Sequence, residues 1–124
     1  MPLITLTEDN FEQTVTDNEI VIMDFWAPWC GPCKSFGPIF EKTSKLFPEI
    51  AFAKVNTEEE QALGSHFQIR SIPTTMIMKE QIVVFSQSGV LSEEAIVDIM
   101  GQVKDLDMDK VRKEIAEQQS TEES

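Results

Sequence analysis

The sequence predicts an α/β fold in which one mixed β-sheet carries helices on both faces. Three observations lead there. Strand-like and helix-like segments alternate along most of the 124 residues, a pattern that pairs strands in parallel through right-handed crossovers. The run from Ile20 to Trp26 is apolar at every position but one, as expected of a central strand covered on both faces. Segments 74–78 and 82–86 lie close enough to form a hairpin, which makes that last pair antiparallel. The predicted order is β-α-β-α-β-α-β-β-α.

Residues 3–6 read as a short first strand. Thr7 can cap the next helix, with Glu8 and Asp9 in its first turn, where negative charge is favourable. Phe11 and Val15 then share one helical face. After the strand at 20–26, Phe36, Ile39, Phe40, Leu46 and Phe47 recur at helical spacing from Cys33 onward, and Pro38 is expected to kink that helix. A third strand is predicted at 51–55 and a short helix at 61–67, with the solvated Glu58, Glu59 and Glu60 near its start. His66 reads as a surface residue of that helix. Ser92 can cap the last main helix, whose buried stripe is Ile96, Ile99, Met100 and Val103. Met23, Met76, Met78 and Met100 read as core filler.

The end of the chain differs in character. From Asp105 to Ser124 seven acids face three bases. Met108, Val111 and Ile115 leave a thin apolar stripe, enough for a short helix, and 118–124 is expected to be disordered. The predicted organisation is one domain at 1–107 followed by an acidic extension at 108–124, with no internal repeat.

Composition excludes some functions. Lys and Arg number 10 against 22 Asp and Glu, for a net charge of -12, which argues against nucleic-acid binding because a phosphate backbone calls for a basic footprint. Mean hydropathy is -0.17, and no apolar run approaches the ~20 residues of a membrane span. The N-terminus has neither a basic segment nor a long apolar one, so a cytoplasmic location is expected.

Chemistry centres on the only two cysteines, Cys30 and Cys33. A disulfide between them closes a very short loop and restrains little of the unfolded chain, so the pair makes a poor staple. A zinc site usually needs four ligands; with no further cysteine and a single histidine, zinc ranks far below redox chemistry, and no metal is expected. The segment 26–34 leaves a buried strand and enters a helix, where unpaired N–H groups and the helix dipole favour a thiolate at Cys30. Gly31 lets the backbone turn and leaves room for a substrate chain, and Pro32 fits the first helical turn. This arrangement supports a two-step exchange. An exposed Cys30 attacks a substrate disulfide, and a buried Cys33 then resolves the mixed disulfide. Asp24 interrupts the central strand, and a carboxylate there either carries a raised pKa through desolvation or reaches water at the strand end.

The string W-C-G-P-C-K at 29–34 resembles the active site of the thioredoxin family, as do D-F-W-A-P at 24–28 and I-R-S-I-P-T at 69–74. The order of elements matches over roughly residues 3 to 106. A C-x-x-C pair beside a βαβ pattern is itself a stock illustration of thioredoxin, so the link between this motif and low-pKa thiol chemistry belongs to the family. The resemblance implies a three-layer α/β/α sandwich and a general protein-disulfide reductase. It implies that Asp24 lies beneath the cysteines and helps move the proton of Cys33, with Lys54 near that acid. It also implies a cis peptide before Pro73, at a corner that pairs with an extended substrate by strand addition. Trp29, Ile72, Gly89 and Val90 match an apolar surface around the first sulfur. The family needs no bound cofactor, because the cysteine pair carries the electrons. A thioredoxin reductase using NADPH would recharge it, disulfide-containing proteins would be its clients, and a monomer is expected.

The match weakens in places. The hairpin at 78–82 lacks the family's Asn-Gly turn; Ser71 stands where glycine is frequent, and Ser88 where an apolar residue is common. The last two touch the rim of the substrate groove. The rival reading is a binding or chaperone module with incidental redox activity, supported only by that rim and the acidic tail. A second variant is an oxidant or isomerase, which the Gly31-Pro32 dipeptide disfavours.

Overall fold

The computed structural model describes residues 3–123, with side chains described through residue 119. Met1 and Pro2 of the N-terminal segment, and Ser124 of the tail expected to be disordered, lie outside the described residues. Ten elements follow in order: β1 (Ile4–Thr5), α1 (Glu8–Asp17), β2 (Ile20–Trp26), α2 (Gly31–Ser44), β3 (Ala51–Asn56), α3 (Gln61–His66), β4 (Thr74–Lys79), β5 (Ile82–Ser88), α4 (Glu93–Lys104) and α5 (Met108–Glu123).

The strands form one sheet in the order β1-β3-β2-β4-β5. β1 and β2 run parallel to β3, while β4 is antiparallel to both β2 and β5. Alternation along β2 sorts its side chains to two cores. Val21, Met23 and Phe25 pack with Val15 of α1 and Leu63 of α3. Ile20 and Ile22 pack with Phe36 and Phe40 of α2 and Ile96 and Met100 of α4. Phe36 and Phe40 are fully buried, each such burial contributing roughly 2 kcal/mol. Asp24 and Trp26 continue the Ile20–Ile22 row and so lie on the α2 side of the sheet.

Local chemistry sets the helix starts. Thr7 and Asn10 form a reciprocal capping box at α1, with Thr7 N–H donating to Asn10 Oδ1 at 2.8 Å. Ser92 Oγ accepts the Ala95 N–H at α4. Helix α2 begins at Gly31, with Cys30 as its N-cap, two residues before the apolar pattern starts.

The β4–β5 hairpin turns through Glu80 (φ 51°) and Gln81 (φ 67°). Both central residues are left-handed, as a two-residue turn matching strand twist requires, although neither is the usual Asn or Gly. Beside the turn, Lys79 is only 4% exposed. Its Nζ donates to the carbonyls of Val103 (2.8 Å), Lys104 (3.0 Å) and Leu106 (3.0 Å). These lie at the C-terminal end of α4, where the helix dipole is negative and the last carbonyls lack helical partners. Replacing Lys79 with Met is expected to lower stability by about 2 kcal/mol, read as a fall in the urea midpoint. An unchanged midpoint would remove this role.

The same corner launches α5. Asp107 Oδ1 accepts the N–H groups of Asp109 (3.0 Å) and Lys110 (3.2 Å), Met108 is buried, and Arg112 bridges Glu80 (2.8 Å) and Asp109 (2.6 Å). The sequence predicts a short helix and then disorder from residue 118; the helix instead continues to Glu123. A run of Lys, Glu, Ala and Gln has enough intrinsic propensity to extend a helix already anchored at its start.

Candidate active site

Cys30 and Cys33 are joined as a disulfide, with Cα atoms 5.2 Å apart. The Cys33 N–H donates to Cys30 Sγ at 3.2 Å. This is the ordinary geometry of an N-cap, with sulfur in place of the usual oxygen. The first turn of α2 therefore aims an amide at the first sulfur, a direct physical source of thiolate stabilisation when the bond is reduced. Gly31 and Pro32 are both exposed.

One sequence expectation needs correcting. Cys30 is expected to be open to solvent, yet it is 5% exposed, hardly more than Cys33 at 4%. Both pack with Ala27, and Trp26 and Ile72 close over them. The Ile72 carbonyl oxygen lies 3.8 Å from Cys30 Sγ. The cover comes from a residue 42 positions away, so local pattern could not reveal it.

Asp24 is 0% exposed. Burial pushes its carboxyl up to about 6, partly opposed by the Lys54 ammonium. Neither carboxyl oxygen has a hydrogen-bond partner. In the sheet Asp24 lies opposite Lys54 on one side and Thr75 on the other. Thr75 Oγ1 and Trp26 Nε1 are likewise buried without partners, so polar groups cluster on the α2 side of the sheet. Lys54 Nζ sits 4.8 Å from the centre of the Trp26 ring. A pocket of about 330 Å³ is lined by Trp26, Cys33, Gly37 and Lys54 among others, so Cys33 and the lysine border one concavity. Thr75 does not stand out in the sequence. Its only signal is a hydroxyl within an apolar strand, and the register with Asp24 comes from the fold.

The Ile72–Pro73 peptide is cis. Gly89 donates its N–H to the Pro73 carbonyl at 2.8 Å and takes φ +100°, a conformation glycine adopts without strain. Its neighbour Val90 is exposed, and Trp29 is 68% exposed, a surface position. A second pocket, of about 400 Å³, runs from Trp29 and Ile72 past Ser71 to Arg70 and Thr57. The structure thus groups Cys30, Cys33, Trp29 and Ile72 at one end of the sheet, with Pro73 and Gly89 tied together beside them. Among the described residues no cluster of three His, Cys, Asp or Glu side chains could hold a metal ion.

The family model described as Thioredoxin matches residues 2–102. A Streptomyces coelicolor protein named as a second thioredoxin is 56% identical over 117 residues, spanning 94% of this chain and 87% of its own. A thioredoxin of Haemophilus influenzae is 33% identical, spanning 81% of this chain and 95% of its own. Among solved structures, a single-site mutant of a Halobacterium salinarum thioredoxin superposes with a TM-score of 0.78 at 30% identity, covering 86% of this chain and 93% of that one.

Proposed function

Since the chain belongs to the thioredoxin family, we propose that Cys30 is its nucleophile, Cys33 its resolving thiol and Asp24 the group that takes the Cys33 proton. The protein is a thiol–disulfide oxidoreductase that reduces protein disulfides. It needs no bound cofactor, because the cysteine pair carries two electrons.

In the first step the Cys30 thiolate attacks one sulfur of a client disulfide. A mixed disulfide forms and the other client sulfur leaves as a thiolate. Cys33 then gives its proton to the Asp24 carboxylate and attacks Cys30 Sγ. The mixed disulfide breaks, the client leaves with both sulfurs reduced, and the Cys30–Cys33 disulfide remains. Lys54 holds positive charge beside the acid. Trp29, Gly31, Pro32, Ile72, Gly89 and Val90 form the client surface, and Pro73 shapes the corner where an extended client strand pairs.

Members of the family act on disulfide-containing substrates and are generally recharged by thioredoxin reductase. Our reading adds that this reductase draws on NADPH and that the protein works as a cytoplasmic monomer, with neither nucleic acid nor membrane as a partner. No helix among the described residues is long and apolar enough to cross a membrane. Residues 1–107 form the thioredoxin-like domain in this reading, and 108–124 an acidic extension. The comparisons offer no support for a binding module in which redox turnover is incidental.

The amide aimed at Cys30 Sγ from the start of α2 carries this proposal. Its test is insulin reduction with dithiothreitol as electron source. Precipitation of the insulin chains well ahead of dithiothreitol alone is expected, and a rate equal to dithiothreitol alone would overturn it.

A further inference from the structure

Two serines distinguish the rim of this groove. Ser71 Oγ donates to Ser88 Oγ at 2.8 Å, and Ser88 Oγ lies 3.3 Å from Thr74 Oγ1. Thr74 in turn donates to the Ser71 carbonyl. Ser71 immediately precedes the Ile72–Pro73 corner, and Ser88 ends β5 just before Gly89 and Val90. The two stretches that flank the client surface are therefore joined by side chains, in addition to the β4–β5 ladder that pairs Thr74 with Ser88 and the backbone bond from Gly89 to Pro73. A glycine at position 71 has no side chain to make such a bond, and an apolar residue at 88 has no hydroxyl to receive it.

We propose that the Ser71–Ser88 hydroxyl pair is a positioning device that fixes the spacing between the proline corner and the Gly89–Val90 loop. The inference rests on the disulfide-reductase reading above. A client that adds a strand at the corner needs both stretches in one arrangement. If hydrogen bonds already hold that arrangement, the ordering cost falls on folding rather than on association. The pair acts through the shape of the groove and touches no reacting atom. Its loss therefore weakens binding of an extended client and leaves the thiol chemistry alone.

The experiment compares Ser71→Ala, Ser88→Ala, the double variant and Ser88→Thr by steady-state insulin reduction, and by single-turnover reduction of a small aromatic disulfide reagent. Each alanine variant is expected to raise KM for insulin by about three- to tenfold, the worth of one ordinary hydrogen bond, with kcat held. The double variant is expected to be no worse than the poorer single one, because both remove the same bond. Ser88→Thr, which keeps the hydroxyl, is expected to retain the wild-type KM. The small disulfide, too short to span the groove, is expected to react at the wild-type rate with every variant. An unchanged KM in the alanine variants, losses that multiply in the double variant, or an equal loss with the small reagent would each overturn the proposal. Failure of the wild-type protein to reduce insulin would instead overturn the reductase reading, so the two failures are distinguishable.

Discussion

Asp24→Asn is expected to make the protein more stable at neutral pH and slower as an enzyme. The carboxyl is fully buried on the α2 side of β2, without a hydrogen-bond partner, and burial raises its pKa from 3.8 to about 6. An acid whose folded pKa lies above its unfolded value holds its proton more tightly when folded. Its ionisation therefore opposes folding, and stability falls as pH rises from about 4 through 6. The shift corresponds to about 3 kcal/mol lost by pH 7 relative to a group that never ionises. Asn removes the charge, so the variant gains up to that amount at pH 7 and almost nothing at pH 4. For a domain of this size the gain is a rise in Tm of roughly 10 °C at pH 7. Calorimetry at the two pH values checks both halves. A loss of stability at pH 7, or an equal gain at pH 4, would contradict the burial argument.

The functional half of that prediction runs the other way. At pH 7 a carboxyl with a pKa of about 6 is mostly ionised and ready to accept a proton from Cys33; below pH 6 it is protonated and cannot. Resolution of the mixed disulfide is expected to slow as pH drops through 6 in the wild-type protein. In Asp24→Asn it is expected to be slower by at least about tenfold at pH 7, with the inflection near pH 6 gone. Single-turnover measurement of client release reads both. An unchanged rate and profile would remove Asp24 from the reaction while leaving its effect on stability intact.

The second large effect separates the two cysteines. Cys30→Ser is expected to abolish disulfide reduction, a loss of at least about a thousandfold, because a serine at the N-cap of α2 forms no thiolate to open the client disulfide. Cys33→Ser is expected to lose turnover as well, but by a different route: it still attacks and then cannot release. Mixed with insulin and no added thiol, reduced Cys33→Ser accumulates a covalent adduct at Cys30 that dithiothreitol dissolves, whereas Cys30→Ser accumulates none. Intact-mass measurement distinguishes the two. An adduct in Cys30→Ser and none in Cys33→Ser would reverse the assigned roles.

Features set by local chemistry are legible in the sequence. The limits of β2 and the caps at Thr7 and Ser92 follow from an apolar run and from side-chain oxygens that reach back to the backbone. Cys30 and Cys33 stand out because a pair three positions apart, at a strand-to-helix junction, has little other use. What escapes the sequence depends on contacts between distant segments. Lys79 reads as part of the hairpin turn at 78–82, yet it is buried because carbonyls 24 to 27 residues onward receive its ammonium. The cover over Cys30 comes from Ile72, and the approach of Thr75 to Asp24 from an antiparallel register. The left-handed Glu80 and Gln81 show the converse. Residues that resist this conformation adopt it when flanking strands demand it. The two rim serines are visible in the sequence as departures from the family, but that they bond to each other is visible only in the fold.

The claim on which the mechanism depends is that the amide at the start of α2 makes the first sulfur the more reactive of two nearly equally covered cysteines. The most direct measurement is timed alkylation of the reduced protein with iodoacetamide at pH 7, with the modified residue located by peptide mass. The account predicts one rapid modification, on Cys30, much faster than glutathione under the same conditions, with Cys33 untouched on that timescale. Modification of Cys33 first, or a Cys30 rate no greater than that of glutathione, would contradict it.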